Sequence, residues 1–283
     1  MLDKLKNIYN EYPFCDSPEI VADIKQNLYN RGLHIHEVDN IAIPFNPNWK
    51  KVGVNLSGGA DSAIMTYTLC KIIEENNYDT KIDVITHVRV WNNRPWAGPV
   101  SINVYEKLQS YFPNIINLRH RNYIPPELEH GVIGNIVGEH SGDMIIVDSF
   151  NNYIAHSENI DAIFNFTTKD PSVPGLKAPK RDTSIDKLVF QDLAQNRTHY
   201  WLLKPMLVTE KDWIIDQYYK NDVVDLLETT RSCEGDINSD PLLFAELDYT
   251  TYKKNSKVPE CGKCYWCLER NWATEKVKQK YEL

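Results

Sequence analysis

The strongest pattern along the chain is a short apolar run that passes directly into a helical one. Val52, Val54 and Leu56 lie in a stretch of strand length and β-branched content, and after a glycine turn Ile64, Met65, Leu69, Ile72 and Ile73 recur at helical spacing. These positions predict a strand over 51–56 and a helix over 63–75. A second apolar run over 81–91 (Ile82, Val84, Ile85, Val88, Val90) follows one helix length later and completes a βαβ unit. Such units run parallel with right-handed crossovers, and ligands bind at the carboxyl ends of their strands. Further along, the pattern predicts a helix over 99–111, a strand over 114–118, a helix over 144–156, strands over 160–167 and 200–208, and a helix over 213–219. Thr209-Glu210-Lys211-Asp212 precedes that last helix in the manner of a capping box. The alternation predicts a doubly wound parallel sheet of the α/β class.

Three regions follow from this pattern: a helical N-terminal extension over 1–50, a core domain over 51–220 and a C-terminal subdomain over 221–283. The extension carries two helical stretches, 2–12 and 17–30. His34-Ile35-His36-Glu37 alternates and is read as a surface strand or turn rather than a metal pair. The glycines at 131, 134, 138 and 142 follow no strand, so they mark a loop and a helix start rather than a dinucleotide fingerprint. Residues 170–196 are rich in Pro, Lys and Asp and lack periodicity. A loop of this length is functional or mobile; read as a substrate lid, it offers Lys177, Lys180 and Arg181, with Lys169 just before it, to a carboxylate or phosphates. The loop 91–98, leaving the second strand, is placed either to meet adenine or substrate or to serve as an aromatic-capped turn.

Composition narrows this picture. With 42% hydrophobic and 25% charged residues the chain has an ordinary globular balance, and no apolar run approaches the roughly 18 residues of a membrane span. The first residues lack the apolar core of a secretion signal, so a cytoplasmic protein without a membrane partner is expected. The net charge of -8 exerts no general pull on nucleic acid; Arg119-His120-Arg121 is read as a solvated face. Six cysteines in a chain of this kind point away from a disulfide framework, and three of them fall within seven residues, which points to metal. Cys70, on the apolar side of the first helix, is read as packed core.

Two motifs carry chemistry. Leu56-Ser57-Gly58-Gly59-Ala60-Asp61-Ser62 joins the first strand to its helix. The leading N–H groups of a helix have no intrahelical partner and carry partial positive charge, so anionic oxygens bind there. Gly58 and Gly59 let the backbone approach, Ser57 and Ser62 offer hydroxyls, and Asp61, expected in an exposed first turn, would orient the loop or a Mg²⁺ ion. No lysine follows the glycines, which excludes the Walker-type loop. The other reading is a plain αβ turn with Asp and Ser as helix caps. Cys261-Gly262-Lys263-Cys264-Tyr265-Trp266-Cys267 is the second motif, with Cys233 lying 28 residues upstream. Four thiolates suit a closed tetrahedral zinc site, with Lys263, Arg231 and Arg270 near in sequence to offset its charge. An iron–sulfur cluster is the main rival for this spacing.

Ser57-Gly58-Gly59-Ala60-Asp61-Ser62 resembles the S-G-G-x-D-S signature of the PP-loop ATP pyrophosphatases, or adenine nucleotide alpha hydrolases. In that family the loop holds the β,γ-pyrophosphate of ATP while a substrate oxygen attacks the α-phosphorus. Thr230-Arg231-Ser232-Cys233 with Cys261 to Arg270, together with Lys204-Pro205-Met206, resembles the 7-cyano-7-deazaguanine synthase branch, whose product belongs to queuosine biosynthesis. The insert between Cys233 and Cys261 is longer than in that branch. Its substrate-binding run after the fourth strand is also missing, with Asp170, Lys180 and Arg181 the candidates to replace it.

The resemblance implies an ATP-dependent C–N ligase that uses ATP, Mg²⁺ and Zn²⁺, with Ser57, Asp61 and Ser62 as catalytic residues. It would adenylate a small-molecule carboxylate of 7-deazaguanine type and pass it to ammonia or an amine, giving an amide or nitrile. A homodimer is a possible assembly. A PP-loop tRNA sulfurtransferase, or a non-catalytic nucleotide-binding module with a structural zinc, is the alternative.

Overall fold

A computed structural model describes residues 26, 29–39, 41–89, 97–124, 142–176, 194–197, 199–206, 209–233 and 260–282. The two helices expected in the extension, apart from residues 26, 29 and 30, and the glycine-rich stretch up to 141 lie outside the described residues. So do the lid positions Lys177, Lys180 and Arg181, and all but the end of the 91–98 loop.

The chain enters through an antiparallel hairpin, β1 (His34–Val38) and β2 (Ile41–Phe45). Alternation puts Ile41, Ile43 and Phe45 into the main core, while Asp39 takes a left-handed φ of 53° at the turn. Asp39 Oδ2 then accepts hydrogen bonds from Gln217 and Lys220, both at 2.6 Å. The His34/His36 stretch is thus a strand, and His36 Nε2 sits 3.3 Å from Tyr78 Oη.

The main sheet comprises β3 (Lys51–Asn55), β4 (Lys81–Arg89), β5 (Ile116–Ile124), β6 (Ala162–Phe164), β7 (Ala194–Asn196) and β8 (Trp201–Leu203) in the order β5-β4-β3-β6-β8-β7. The first five in contact, β5 through β8, are parallel, and β7 closes the edge antiparallel to β8. Winding runs outward from β3 through β4 to β5, then returns to β6 and β8 on the other side, so the sheet is doubly wound with its switch point between β3 and β6. Val52, Val54, Val84, Phe164 and Leu203 face one core and Ile85, Ile163 and Leu202 the other, as the two-residue period of a strand requires. A Cβ on Gly53 would lie 3.1 Å from both Ile163 and Ile85, so the neighbouring strands' side chains use the space it leaves.

Helices α1 (Ala60–Glu75), α2 (Ala97–Tyr111) and α4 (Lys211–Lys220) cover the first face, and α3 (Gly142–Ser157) covers the second. Twelve of the sixteen α1 residues are buried, including Cys70, which makes α1 a central helix rather than a surface one. The short α5 (Val224–Glu228) and the long α6 (Tyr265–Tyr281) follow, and α6 is clamped to α4 by Lys280 on Asp216 at 2.8 Å and by Tyr219 stacked on Tyr281. Among the described residues no helix is long and apolar enough to cross a membrane.

Several elements depart from their sequence-predicted form. β5 extends to Ile124, so Arg119 and His120 are half-buried strand residues rather than a solvated patch. His120 Nε2 lies 3.1 Å from the buried Asp83 carboxylate, and Arg119 donates to Gly98 O and Ser101 Oγ. β8 stops at Leu203, one residue short of Lys204-Pro205, because proline has no N–H for the ladder. β7 takes the end of the stretch read as a structureless loop. The capping box does not form, since Thr209 Oγ1 donates back to Met206 O and Glu210, the N-cap, instead pairs with Lys169.

Candidate functional site

The loop leaves the carboxyl end of β3 at the switch point, where doubly wound sheets bind ligands. Leu56 N still bonds Ile85 O at 2.8 Å, and then Gly58 turns the chain with φ 81°. Only glycine fits there: besides the left-handed backbone, a Cβ would come within 2.9 Å of Ser101 N and of Val100. Gly59 is the N-cap of α1 and has no side chain to cap it; of the leading amides, Ala60 N donates to Ser232 Oγ at 3.5 Å.

The two serines take different parts. Ser62 Oγ, almost fully buried, donates to Gly59 O at 3.1 Å and accepts from Ser57 N at 3.2 Å, so it braces the turn. Ser57 Oγ accepts from Gly59 N at 3.3 Å and is half-buried at the loop's edge. At the carboxyl end of β6, Thr168 is 1% exposed and its Oγ1 has no protein partner among the described residues.

Asp61 is not in an exposed turn. Its side chain is 18% exposed, and Oδ1 lies 2.6 Å from Nζ of Lys211, which is itself 1% exposed. Lys211 Nζ is also 3.9 Å from Oε2 of Glu269, a carboxylate with no exposure at all. Tyr265 Oη stands 2.9 Å from Glu269 Oε1 and 3.0 Å from Asp170 Oδ1, so its single proton serves one carboxylate at a time. The sequence-predicted Asp61 and Asp170 are thereby joined through three residues that sequence reasoning missed. A signal for two of them was present. Lys211 lies at i, i+3, i+4 and i+7 with the buried Ile214, Ile215 and Tyr218, and Glu269 lies four and eight residues before Ala273 and Val277. Both therefore occupy inward helix faces.

The cysteines converge as predicted. All four Sγ atoms lie within 4.8 Å of one another, with Cys261 to Cys267 and Cys264 to Cys233 both at 3.9 Å. A single tetrahedral ion with metal–sulfur bonds of about 2.3 Å needs edges of about 3.8 Å, so this set fits one metal. Gly262, at φ 69°, makes the turn of the first Cys-x-x-Cys step, Cys264 N donates to Cys261 Sγ, and Cys267 rides on the first turn of α6. Without a cation the crowded sulfurs resist ionising. The Cys264 hydrogen bond, chiefly, pushes the Cys233 thiol up to about 12, and Cys267 is raised as well. A bound divalent cation reverses that preference. Arg270 donates to Thr230 O and Leu227 O, fixing the segment that leads to Cys233.

That segment touches the loop. Arg231 N donates to Gly58 O at 2.9 Å, Ser232 Oγ is 3.5 Å from Ala60 N, and Tyr218 Oη donates to Ala60 O at 2.7 Å. The metal motif and the loop, more than 170 residues apart in sequence, form one continuous site.

No protein family matches this chain, and no curated protein does either. Among solved structures it is similar to the U34-tRNA thiolase NcsA from Methanococcus maripaludis with its 4Fe-4S cluster, with TM-score 0.42 and 14% identity over 93% of this chain and 75% of that one. It is also similar to a phosphoadenylyl-sulfate reductase from Candida auris in a phosphate complex, with TM-score 0.36 and 9% identity over 78% and 96% of the two chains. The NAD+ synthetase from Burkholderia pseudomallei gives TM-score 0.33 and 10% identity over 99% and 93%. With overlaps this low, the reading of the site rests on the strand order and on the residues themselves.

Proposed function

We propose that this chain is an ATP-using enzyme of the PP-loop type that cleaves ATP between the α and β phosphates and adenylates a carboxylate. The observation that carries this reading is the amino end of α1, which has glycine as its N-cap and is reached through the left-handed Gly58 at the switch point of the sheet. Amides there would hold the β,γ-pyrophosphate, with Ser57 Oγ as a further donor and Ser62 bracing the turn. Pyrophosphate leaves readily only when its charge is neutralised, a task for these donors together with Mg²⁺. Lys211 already occupies Asp61 Oδ1, so Asp61 Oδ2 is the atom open to a metal ion or to loop positioning.

The acceptor we favour is a carboxylate of the 7-deazaguanine class, with ammonia or an amine displacing AMP. Asp170, held beside Tyr265, would border it, and Lys180 with Arg181 would supply the cations for its carboxylate. The cysteine set would hold one Zn²⁺, which supplies structural closure of α6 onto residues 230–233. A PP-loop tRNA sulfurtransferase is the second reading. It is favoured by the contact of Arg231 with Gly58, which brings the sulfur ligands close to the nucleotide loop.

Incubation with ATP labelled at the α-phosphate, with and without a panel of carboxy-deazapurines, amines, and tRNA supplied with sulfide as sulfur source, tests the reading. Pyrophosphate should appear in step with an adenylated small molecule, and AMP in step with an aminated one. ADP at stoichiometry with substrate refutes PP-loop chemistry, and a thiolated tRNA product selects the second reading.

A further inference from the structure

The buried charges between the loop and α6 are not among the four sulfurs that could hold a metal, yet they start on the helix whose first turn carries Cys267. Glu269 lies two residues beyond the ligand Cys267, and Tyr265 sits between Cys264 and Cys267. Tyr265 donates to Glu269, which lies 3.9 Å from Lys211, whose closest partner is Asp61 in the first turn of α1. The chain from Cys267 to Asp61 therefore runs through groups that are almost completely withdrawn from water. Lys211 and Glu269 are 1% and 0% exposed, and at such burial the interaction between charges is only weakly screened.

On the proposal that the loop binds ATP, we infer that Glu269 is a positioning residue through which occupancy of the metal site sets the affinity of the nucleotide loop. With the metal bound, the first turn of α6 is fixed and Glu269 shares Lys211 with Asp61. Loss of the metal releases Cys264 and Cys267, and with them the N-cap and first turn that position Tyr265 and Glu269. Lys211 then loses its second carboxylate and bears on Asp61 alone, in the first turn of the helix whose amides would face phosphate. The backbone contact of Arg231 with Gly58 provides a parallel path, so Glu269 carries part of the coupling and not all of it. Because coupling is reciprocal in affinity, ATP must also tighten the binding of the metal.

The test measures the dissociation constant of ATP by calorimetry and, separately, the metal affinity of the holoprotein by equilibrium competition with a chromogenic chelator, with and without ATP. In the native chain, chelation should weaken ATP binding by about 10-fold or more, within the usual range of coupling between sites, and ATP should raise the metal affinity by the same factor. Glu269→Gln keeps the side-chain size and should retain the metal while cutting both factors at least about threefold. Tyr265→Phe, which removes the hydroxyl between Glu269 and Asp170, should do the same and covers the case in which the glutamine variant fails to fold. If chelation unfolds the chain, the competition titration still reads whether ATP tightens the metal. An unchanged coupling factor in both variants, or ATP affinity indifferent to the metal, overturns the link. A holoprotein that binds no ATP at all overturns the nucleotide reading instead.

Discussion

Asp61→Ala separates a buried ion pair from a surface helix cap. The substitution leaves the Lys211 ammonium, 1% exposed, without its 2.6 Å partner. Breaking a fully buried pair by removing one member costs about 3–5 kcal/mol, because the remaining charge stays desolvated. Two features reduce that here: the Asp61 side chain keeps 18% exposure, and Glu269 remains 3.9 Å from Lys211. The expected loss is about 2–3 kcal/mol, which for a chain of this size lowers the melting temperature by about 4–12 °C. Asp61→Asn, which still accepts a hydrogen bond, should cost less. Combining Asp61→Ala with Lys211→Met should give a destabilisation smaller than the sum of the single changes by about 1 kcal/mol or more. The assay is urea unfolding of the metal-loaded protein, followed by circular dichroism, on the four chains of the cycle. A loss below about 0.5 kcal/mol for Asp61→Ala, the range of ordinary surface substitutions, refutes the burial argument.

Cys264→Ser should abolish stoichiometric metal and lower the yield of folded protein, and elemental analysis should find one zinc per native chain; iron with visible absorption would replace zinc by a cluster. Gly58→Ala should cost about 1–3 kcal/mol from its left-handed backbone and should also displace Ser101, so ATP affinity falls more than stability does; calorimetry and a melt on the same sample distinguish the two. Asp83 tests the pH dependence. Burial raises its pKa, but hydrogen bonds from His120, Asn117 and Leu118 N, with the Lys51 charge, outweigh that and hold the carboxyl below its ordinary 3.8. Its stabilising contribution is therefore present above about pH 4 and lost as pH falls through the lower folded value, so Asp83→Asn should flatten the acid limb of stability against pH and leave a smaller loss there than at pH 7. An acid limb identical to that of the native chain would remove Asp83 from the account.

What the sequence determined by itself is what depends on contiguous residues. The strand, glycine turn and helix of 51–75 were legible because apolar period and turn chemistry act over a few residues, and three of the four clustered cysteines because Cys-x-x-Cys spacing brings their sulfurs together, whereas packing delivers Cys233. The alternation of strands and helices then allowed little besides a doubly wound sheet, since parallel strands need crossovers of one hand. Tertiary structure decided the rest. The ladder with β4 and the buried Asp83 kept the polar Arg119-His120-Arg121 run in β5, and pairing with β8 drew 194–196 out of an aperiodic stretch. Above all, helical period could place Lys211 and Glu269 on inward faces but could not say what they would meet. Their partners lie 150 residues away in one case and on another helix in the other, and a buried charge has its meaning only from the opposite charge that packing sets beside it.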